Sequence, residues 1–379
     1  MLVVCAPDSF KGSLSAVEAA RAMADGVRDA DPRAVCREVP MADGGEGFVD
    51  VIVAALGARR LTVAIRDHAG APANADVALA DGTAYLDVAS AVGLTLVADE
   101  GRDIMTAASQ GVGRLVLAAL DAGARRLVIG LGGSGTNDAG AGMLDTLGVR
   151  LLDDEGARVA PSPAGLASVA TVDATGLDPR LAAVEVVLAS DVTNPLAGPD
   201  GASRVFGPQK GAGPEQVELL DRALDRFARI CARATGADHA GDPGAGAAGG
   251  LGYAFLEFLG ARMRPGVDVV ADALGLREQI RGADLVLTGE GSVDAQTLGG
   301  KTPMGVARIA RDEGVPVVVV AGAVKDDADV LLDHGVTALV PTPRTAAPLA
   351  ELIARSGRDL RAASATVARI FQAGRDAAR

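Results

Sequence analysis

Short apolar runs rich in β-branched residues recur along the chain, and most lead into a polar, glycine-rich loop and then a segment with helical periodicity. Leu2–Cys5, Ala34–Val39, Arg126–Ile129, Val184–Leu188, Leu285–Thr288, Val317–Val320 and Ala338–Pro341 are such runs. Strand, loop and helix repeated in that order is the pattern of an α/β protein with a mainly parallel sheet. Arg60–Ile65, Ala75–Leu79 and Thr83–Asp87 differ. They lie close together, joined by turns bearing Gly or Pro, and read as antiparallel strands. Glu215–Arg233 is the clearest amphipathic helix, with Val217, Leu220, Leu224, Phe227 and Cys231 near one face. The chain's 379 residues suit two domains at roughly 100–200 residues each. The two ends share a βα rhythm, while the middle mixes hairpins with helices. This predicts a Rossmann-like or flavodoxin-like α/β domain built from residues 1–60 plus 280–379. A second, mixed α/β domain, 61–279, is inserted within it.

Composition removes several classes of function. Lys plus Arg total 36 against 49 Asp plus Glu, a net charge of −13. That balance opposes general affinity for nucleic acid or anionic membrane, so no partner of either kind is expected. Aromatics are 2% with no Trp, which leaves no base-stacking platform. Cys5, Cys36 and Cys231 are odd in number and widely spaced, against a disulfide framework or zinc knuckle. The apolar run Val315–Val324 is about half of what a bilayer span needs. The opening MLVVCAPDSFKG lacks a basic n-region and a cleavage-like site. A soluble, cytoplasmic protein is the expectation. His68, His239 and His334 are scattered, and no GxSxG elbow occurs, which leaves Ser-His-Asp chemistry and His-ligated metals poorly supported.

Of the 36 basic residues only Lys11, Lys210, Lys301 and Lys325 are lysines, leaving 32 arginines. The first three of these lysines sit in glycine-rich or polar loops. Five such loops stand where strands end or helices begin, the usual ligand address of open α/β sheets. Ala6–Ser13 carries Asp8, Ser9 and Lys11 and leads into a helix capped by Ser13 or Ser15. Capping accounts for a serine but not for Asp8 and Lys11 together. Pro40–Gly47 sets Asp43 and Glu46 around Gly44 and Gly45. The pair of acids reads equally as ligands for Mg²⁺ or substrate hydroxyls and as a helix capping box.

Gly130–Asp138 contains a literal GxGxxG, and Asp153 and Asp154 follow. Its amides and the helix start after it are expected to bind an anion, and a dinucleotide is one reading. Ser190–Leu196 holds Asp191 and Asn194, and Gly207–Gly211 holds Lys210. Thr288–Asp294 offers Glu290 and Asp294 as Mg²⁺ ligands. It runs on to Gly299–Pro303, where Thr302 is the expected N-cap and Pro303 the first helical residue. Carboxylates, lysines, hydroxyls and glycine-rich loops together are the equipment of Mg²⁺-dependent phosphoryl transfer.

The segments APDSFKGSLSA, PMADGGEGF, GLGGSGTNDAGAGML, SDVTNPL with FGPQKGA, and LTGEGSVDAQTLGGKTPMGVA together resemble the type-1 bacterial glycerate kinase family. The resemblance spans residues 6 to about 307. It implies a kinase that uses ATP and Mg²⁺ to phosphorylate D-glycerate, mostly at the 2-hydroxyl, with the 3-hydroxyl left open, and an active site in the interdomain cleft. On that footing Asp191, Asp8 or Asp43 takes the hydroxyl proton, and Lys11, Lys210 and Lys301 neutralise phosphate and carboxylate charge. Gly132, Gly133, Ser134, Gly135, Thr136, Asn137, Lys301 and Thr302 are expected around ATP. Ser9, Asp43, Gly44, Gly45 and Asn194 are expected around glycerate, with Glu290 and Asp294 on the metal. An NAD(P)-dependent dehydrogenase using Gly130–Gly135 is the competing reading. The GAGAAGGLGYAF segment is expected to form a backbone wall.

Overall fold

The computed structural model describes residues 1–377. The chain forms two compact units, one of Met1–Asp43, Asp50–Leu56 and Pro265 onward, the other of Gly44–Val49 and Gly57–Arg264.

The first unit holds five parallel strands in the spatial order Ala338–Pro341, Val317–Ala321, Leu285–Thr288, Leu2–Cys5, Val35–Glu38. Counted along the chain within this unit, that is the order 5-4-3-1-2, the flavodoxin-like arrangement. The chain leaves the sheet after its second strand and returns at its third. Val3 to Cys5, Leu285–Thr288 and Val317–Ala321 are buried throughout. Strands covered on both faces must be apolar at every position, which is why these runs were visible in sequence.

The helix Ala16–Ala30 opens on Ser15. Its hydroxyl accepts from Glu18 N while Glu18 Oε2 accepts from Ser15 N at 2.9 Å, a capping box. Ala19, Met23 and Val27 of this helix form one core with Val3, Cys5, Leu285 and Leu287. Leu360, Ala363 and Val367 of the last helix, Ser356–Ala377, complete it.

The second unit holds a six-stranded sheet ordered Arg262–Arg264, Glu185–Ala189, Arg126–Gly130, Thr83–Asp87, Pro72–Ala80, Arg59–Arg66. The first four are parallel and the last three form antiparallel hairpins, as the close spacing and turns implied. Arg262–Arg264 gave no signal in the sequence, because three residues with an arginine at each end show no apolar run. The helix Pro214–Thr235 buries Val217, Leu220, Leu224, Phe227 and Cys231, the face read from the periodicity. No helix among the described residues is long and apolar enough to cross a membrane.

The glycine and alanine stretch before Leu251 is not ordinary helix. Ala248, Gly249 and Gly250 all take left-handed backbone angles, and the regular helix continues from there to Leu259. The run wraps the Thr136–Ala139 backbone, with Ala139 N donating to Gly249 O at 3.1 Å. A Cβ on Gly249 would lie 1.9 Å from Thr136 O, at φ +67°. Gly241 has no neighbour within 4 Å. Gly249→Ala is therefore expected to cost about 2–4 kcal/mol, the left-handed penalty plus overpacking, while Gly241→Ala changes little. Thermal unfolding of the two variants beside the parent checks this, and equal shifts would refute it.

Candidate active site

In an open α/β sheet, ligands bind outside the carboxyl ends of the strands, where the strand order reverses direction. In the first unit that point lies between Leu2–Cys5 and Leu285–Thr288, which pair in register from Val3↔Leu285 to Cys5↔Leu287. Ala6 N donates to Leu287 O, Thr288 Oγ1 to Ala6 O at 2.7 Å, and Asp8 N to Gly289 O at 2.8 Å. These bonds set the loop after the first strand beside the loop after the third. Asp8, Lys11, Glu290 and Asp294 all come from those two loops.

Asp8 accepts a short hydrogen bond from Thr302 Oγ1 and one from Ser9 N at 2.6 Å. Thr302 is thus not the N-cap expected of it. The cap is Lys301, and Thr302 opens the helix Thr302–Asp312 with its hydroxyl turned to Asp8. Burial, with Asp43's charge second, lifts the Asp8 carboxyl to about 6. Glu290 is lifted from an ordinary value of 4.5 to about 7, chiefly by burial, with Asp8 and Asp43 adding to it and Lys301 opposing. Lys301 Nζ stands 3.8 Å from Glu290 Oε1. Asp8 and Glu290, whose proton affinity is raised by burial and by the charge of Asp43, stand with Lys11 and Lys301 at a place that a cation or a proton stabilises.

Among the described residues no three His, Cys, Asp or Glu side chains converge closely enough to hold an ion by themselves. Mg²⁺ requires no such convergence, since it keeps its waters and takes one or two carboxylates plus substrate phosphates. Glu290 fits such a role. Asp294 is committed to a turn: its side chain accepts from Gln296 N at 3.0 Å and caps the short helix Ala295–Gly299. Asp43 and Glu46 do not form the capping box that was one reading of them, because the following helix starts at Phe48 on a left-handed Gly47 with no side-chain cap.

The second unit gathers the other candidates around Gly130–Asp138. Asp138 is buried and accepts four hydrogens, from Ser109 N, Ser109 Oγ, Gly140 N and Gly142 N, at 2.7–3.0 Å. Asn137 Nδ2 donates to Ser203 Oγ at 2.9 Å. Lys210, 3% exposed, donates to Thr136 O at 2.7 Å and Ser134 Oγ at 3.2 Å. Burial presses its ammonium down to about 8, with Asp138 opposing. Lys210 therefore braces the loop rather than standing out to meet a phosphate. Leu131 N, Gly132 N and Gly135 N donate to Ala189 O, Gly44 O and Val92 O, so these three amides have no hydrogen left for an anion. Gly44 and Gly45 serve the same packing. A Cβ on Gly130 would meet Gly44 O at 2.1 Å, and one on Gly132 would meet Gly45 Cα at 2.7 Å.

The dinucleotide reading fails on this geometry. A Rossmann fingerprint opens its helix at the last glycine, whereas here the next helix is the short Ala141–Thr146. Asp153 is occupied by the turn amides of Glu155 and Ala157. Asp191 and Asn194 follow the strand Glu185–Ala189, and Asn194 Nδ2 donates to Asp200 O at 2.8 Å. His68, read from sequence as lying outside the loops, is buried with Nε2 against Gly135. It comes from the hairpin turn near Asp67, and no local pattern signals such a contact.

The sequence pattern of the glycerate kinase family matches residues 3–372. The chain belongs to the glycerate kinase family. A glycerate kinase of Bacillus subtilis (strain 168) is 44% identical over 371 residues, 96% of this chain and 97% of that one. A glycerate 2-kinase of Escherichia coli (strain K12) is 44% identical over 341 residues, 89% of this chain and 90% of that one. The crystal structure of a protein assigned as glycerate kinase 2 from Salmonella typhimurium LT2 superposes with a TM-score of 0.89 at 43% identity, covering 99% of each chain. A member of this family is a kinase, and the acid cluster at the reversal point of the sheet is what such chemistry calls for.

Placing Glu290 among acids has a pH signature. In the unfolded chain Glu290 titrates near 4.5 and in the folded one near 7. The folded protein thus holds a proton that the unfolded chain has lost between those values. The stability this confers is complete below about 4.5 and lost as pH rises through about 7. Glu290→Gln is expected to raise the melting temperature at pH 8 and leave it nearly unchanged at pH 5. A shift of equal size at both pH values would show that the carboxylate's charge is not the cause.

Proposed function

We propose that this chain transfers the γ-phosphoryl group of ATP to the 2-hydroxyl of D-glycerate, giving 2-phospho-D-glycerate and ADP. Family membership across residues 3–372 carries the reaction class, and the cluster of Asp8, Lys11, Glu290 and Lys301 carries the assignment to a site. The glycerate oxygen bonds to the γ-phosphorus as the bond from that phosphorus to the β,γ-bridging oxygen breaks, and the electron pair leaves with ADP. The hydroxyl proton passes to Asp8. A carboxylate lifted to about 6 is a stronger base than an ordinary aspartate and is still ionised at neutral pH. Thr302 fixes its orientation through the hydrogen bond to Oδ2.

Lys11 and Lys301 offset the charge of the phosphoryl group in flight, the main burden of catalysis where the protein does little covalent chemistry. Glu290 would hold Mg²⁺, which leaves Asp8 to take the proton. Bound there, Mg²⁺ would neutralise phosphate charge as the phosphoryl group moves. In the second unit, Lys210 and Asp138 keep the Gly130–Asn137 loop in one shape, with Asp191 and Asn194 in the loop that follows the neighbouring strand. The protein acts in the cytoplasm on small molecules.

A coupled assay of ADP release with ATP, Mg²⁺ and D-glycerate, with the product resolved by phosphorus NMR, tests this reading. Turnover to 2-phosphoglycerate is expected. The 3-isomer would correct the position, and absence of glycerate-dependent ADP release from folded protein would sink the proposal. Within the same assay, Asp8→Asn is expected to lower kcat by about 10²–10⁴-fold, the usual worth of a general base.

A further inference from the structure

A cavity of about 220 Å³ lies in the first unit beside the acid cluster. Its walls come from the loops after the first, third, fourth and fifth strands of that sheet and from the helix Leu349–Ala354. Phe10, Pro343, Leu349, Leu352 and Ile353 make it largely apolar, and Lys11 stands in its lining. Leu349 is 71% exposed and Ile353 38% exposed. The helix thus leaves two aliphatic side chains in water at the edge of an open hollow.

We infer that this cavity receives the base of the nucleoside triphosphate, an inference that rests on the kinase reading of the neighbouring acids. Three observations carry it. The first is size. Pockets that bury a whole drug-sized ligand run to roughly 300–1,000 Å³, so this one takes only one end of a larger molecule. The second is polarity, since apolar walls suit a flat heteroaromatic ring and not a triphosphate or a hydroxy acid. The third is continuity. Lys11 and Gly291 line the cavity, and Glu290 precedes Gly291 in the acid-bearing loop. A nucleotide with its base in the hollow runs its phosphates past Lys11 toward Glu290 and Lys301. The order of groups along the ligand matches the order of chemistry along the loops. The helix Leu349–Ala354 and the residues just before it, which show no catalytic motif, are thereby given a task.

The test uses the full-length enzyme with Leu349→Glu and Ile353→Glu, substitutions at exposed positions that the fold tolerates. Removing an aliphatic contact and placing a carboxylate at the rim is expected to raise KM for ATP at least about tenfold, leaving KM for D-glycerate unchanged. Titration calorimetry with ADP alone, in the absence of glycerate, should show the same loss of affinity, and Ile353→Leu should retain it. Ile370→Glu, exposed on the last helix, serves as the control and should behave like the parent. An unchanged KM for ATP, or a rise confined to D-glycerate, would overturn the inference. If the parent binds ADP but turns over no glycerate, the calorimetric comparison still decides the base site while the substrate reading falls alone.

Discussion

The pairing of Leu2–Cys5 with Leu285–Thr288 is the constraint on which the first unit depends. Thr288 Oγ1 reaches Ala6 O across 282 residues of sequence, and the two loops that carry Asp8, Lys11 and Glu290 meet only because these strands lie side by side. Slipping the register by one residue would turn every buried side chain of a strand to the opposite face and carry the acids apart. Because both faces are apolar, the register is held by the fit of each side chain against its neighbours on its own face rather than by an alternation of apolar and polar positions. The electrostatic tension among the carboxylates is tolerable for the same reason. They are attached to the most securely buried part of the sheet, where unfavourable charge costs little relative to the packing beneath it.

Much of the architecture could be read from sequence because parallel strands advertise themselves. Leu285–Thr288 and Val317–Val320 show unbroken runs of apolar or β-branched residues that no surface element would carry, and the hairpins between Arg59 and Asp87 follow from turn chemistry. Arg262–Arg264 could not be read, since it is short and bears charge at both ends. The left-handed turn at Ala248–Gly250 also escaped, because a run of small residues is equally compatible with helix, loop and wall. The candidate loops stood out in the sequence by their composition. Asp8, Lys11 and Glu290 lie in the loops just past two strand ends, Lys301 stands at the N-cap of the helix Thr302–Asp312, and Asp294, read as a metal ligand, caps the short helix of its own turn.

The glycines teach the larger lesson. A loop reading Gly-Leu-Gly-Gly-Ser-Gly invites a phosphate, and yet Gly130 and Gly132 are there so that Gly44 and Gly45 can pass at backbone contact distance. Lys210 sits in a motif that promises a phosphate, and it braces Ser134 and Thr136 instead. A glycine records that something comes close, and sequence alone does not say whether that something is a ligand or the chain itself. Titratable residues are better guides, since a buried acid without a structural partner has few other reasons to exist. Asp138 shows the exception, its four donors accounting for it entirely.

The helix Ala16–Ala30 leans on the helix Ser356–Ala377, with Asp29 and Arg361 paired at 2.6 Å, so the beginning of the chain is covered by its end. During synthesis at about 5–20 residues per second, the first helix waits roughly 20–70 s for its partner to leave the ribosome. Met23 and Val27 lack that cover for all of this interval. The second unit, encoded in one nearly continuous stretch, has its strands and helices complete while the first is still open. Translation therefore completes the second unit's chain before the first unit's, and the apolar face of the first helix gains its cover only when the last helix has been made.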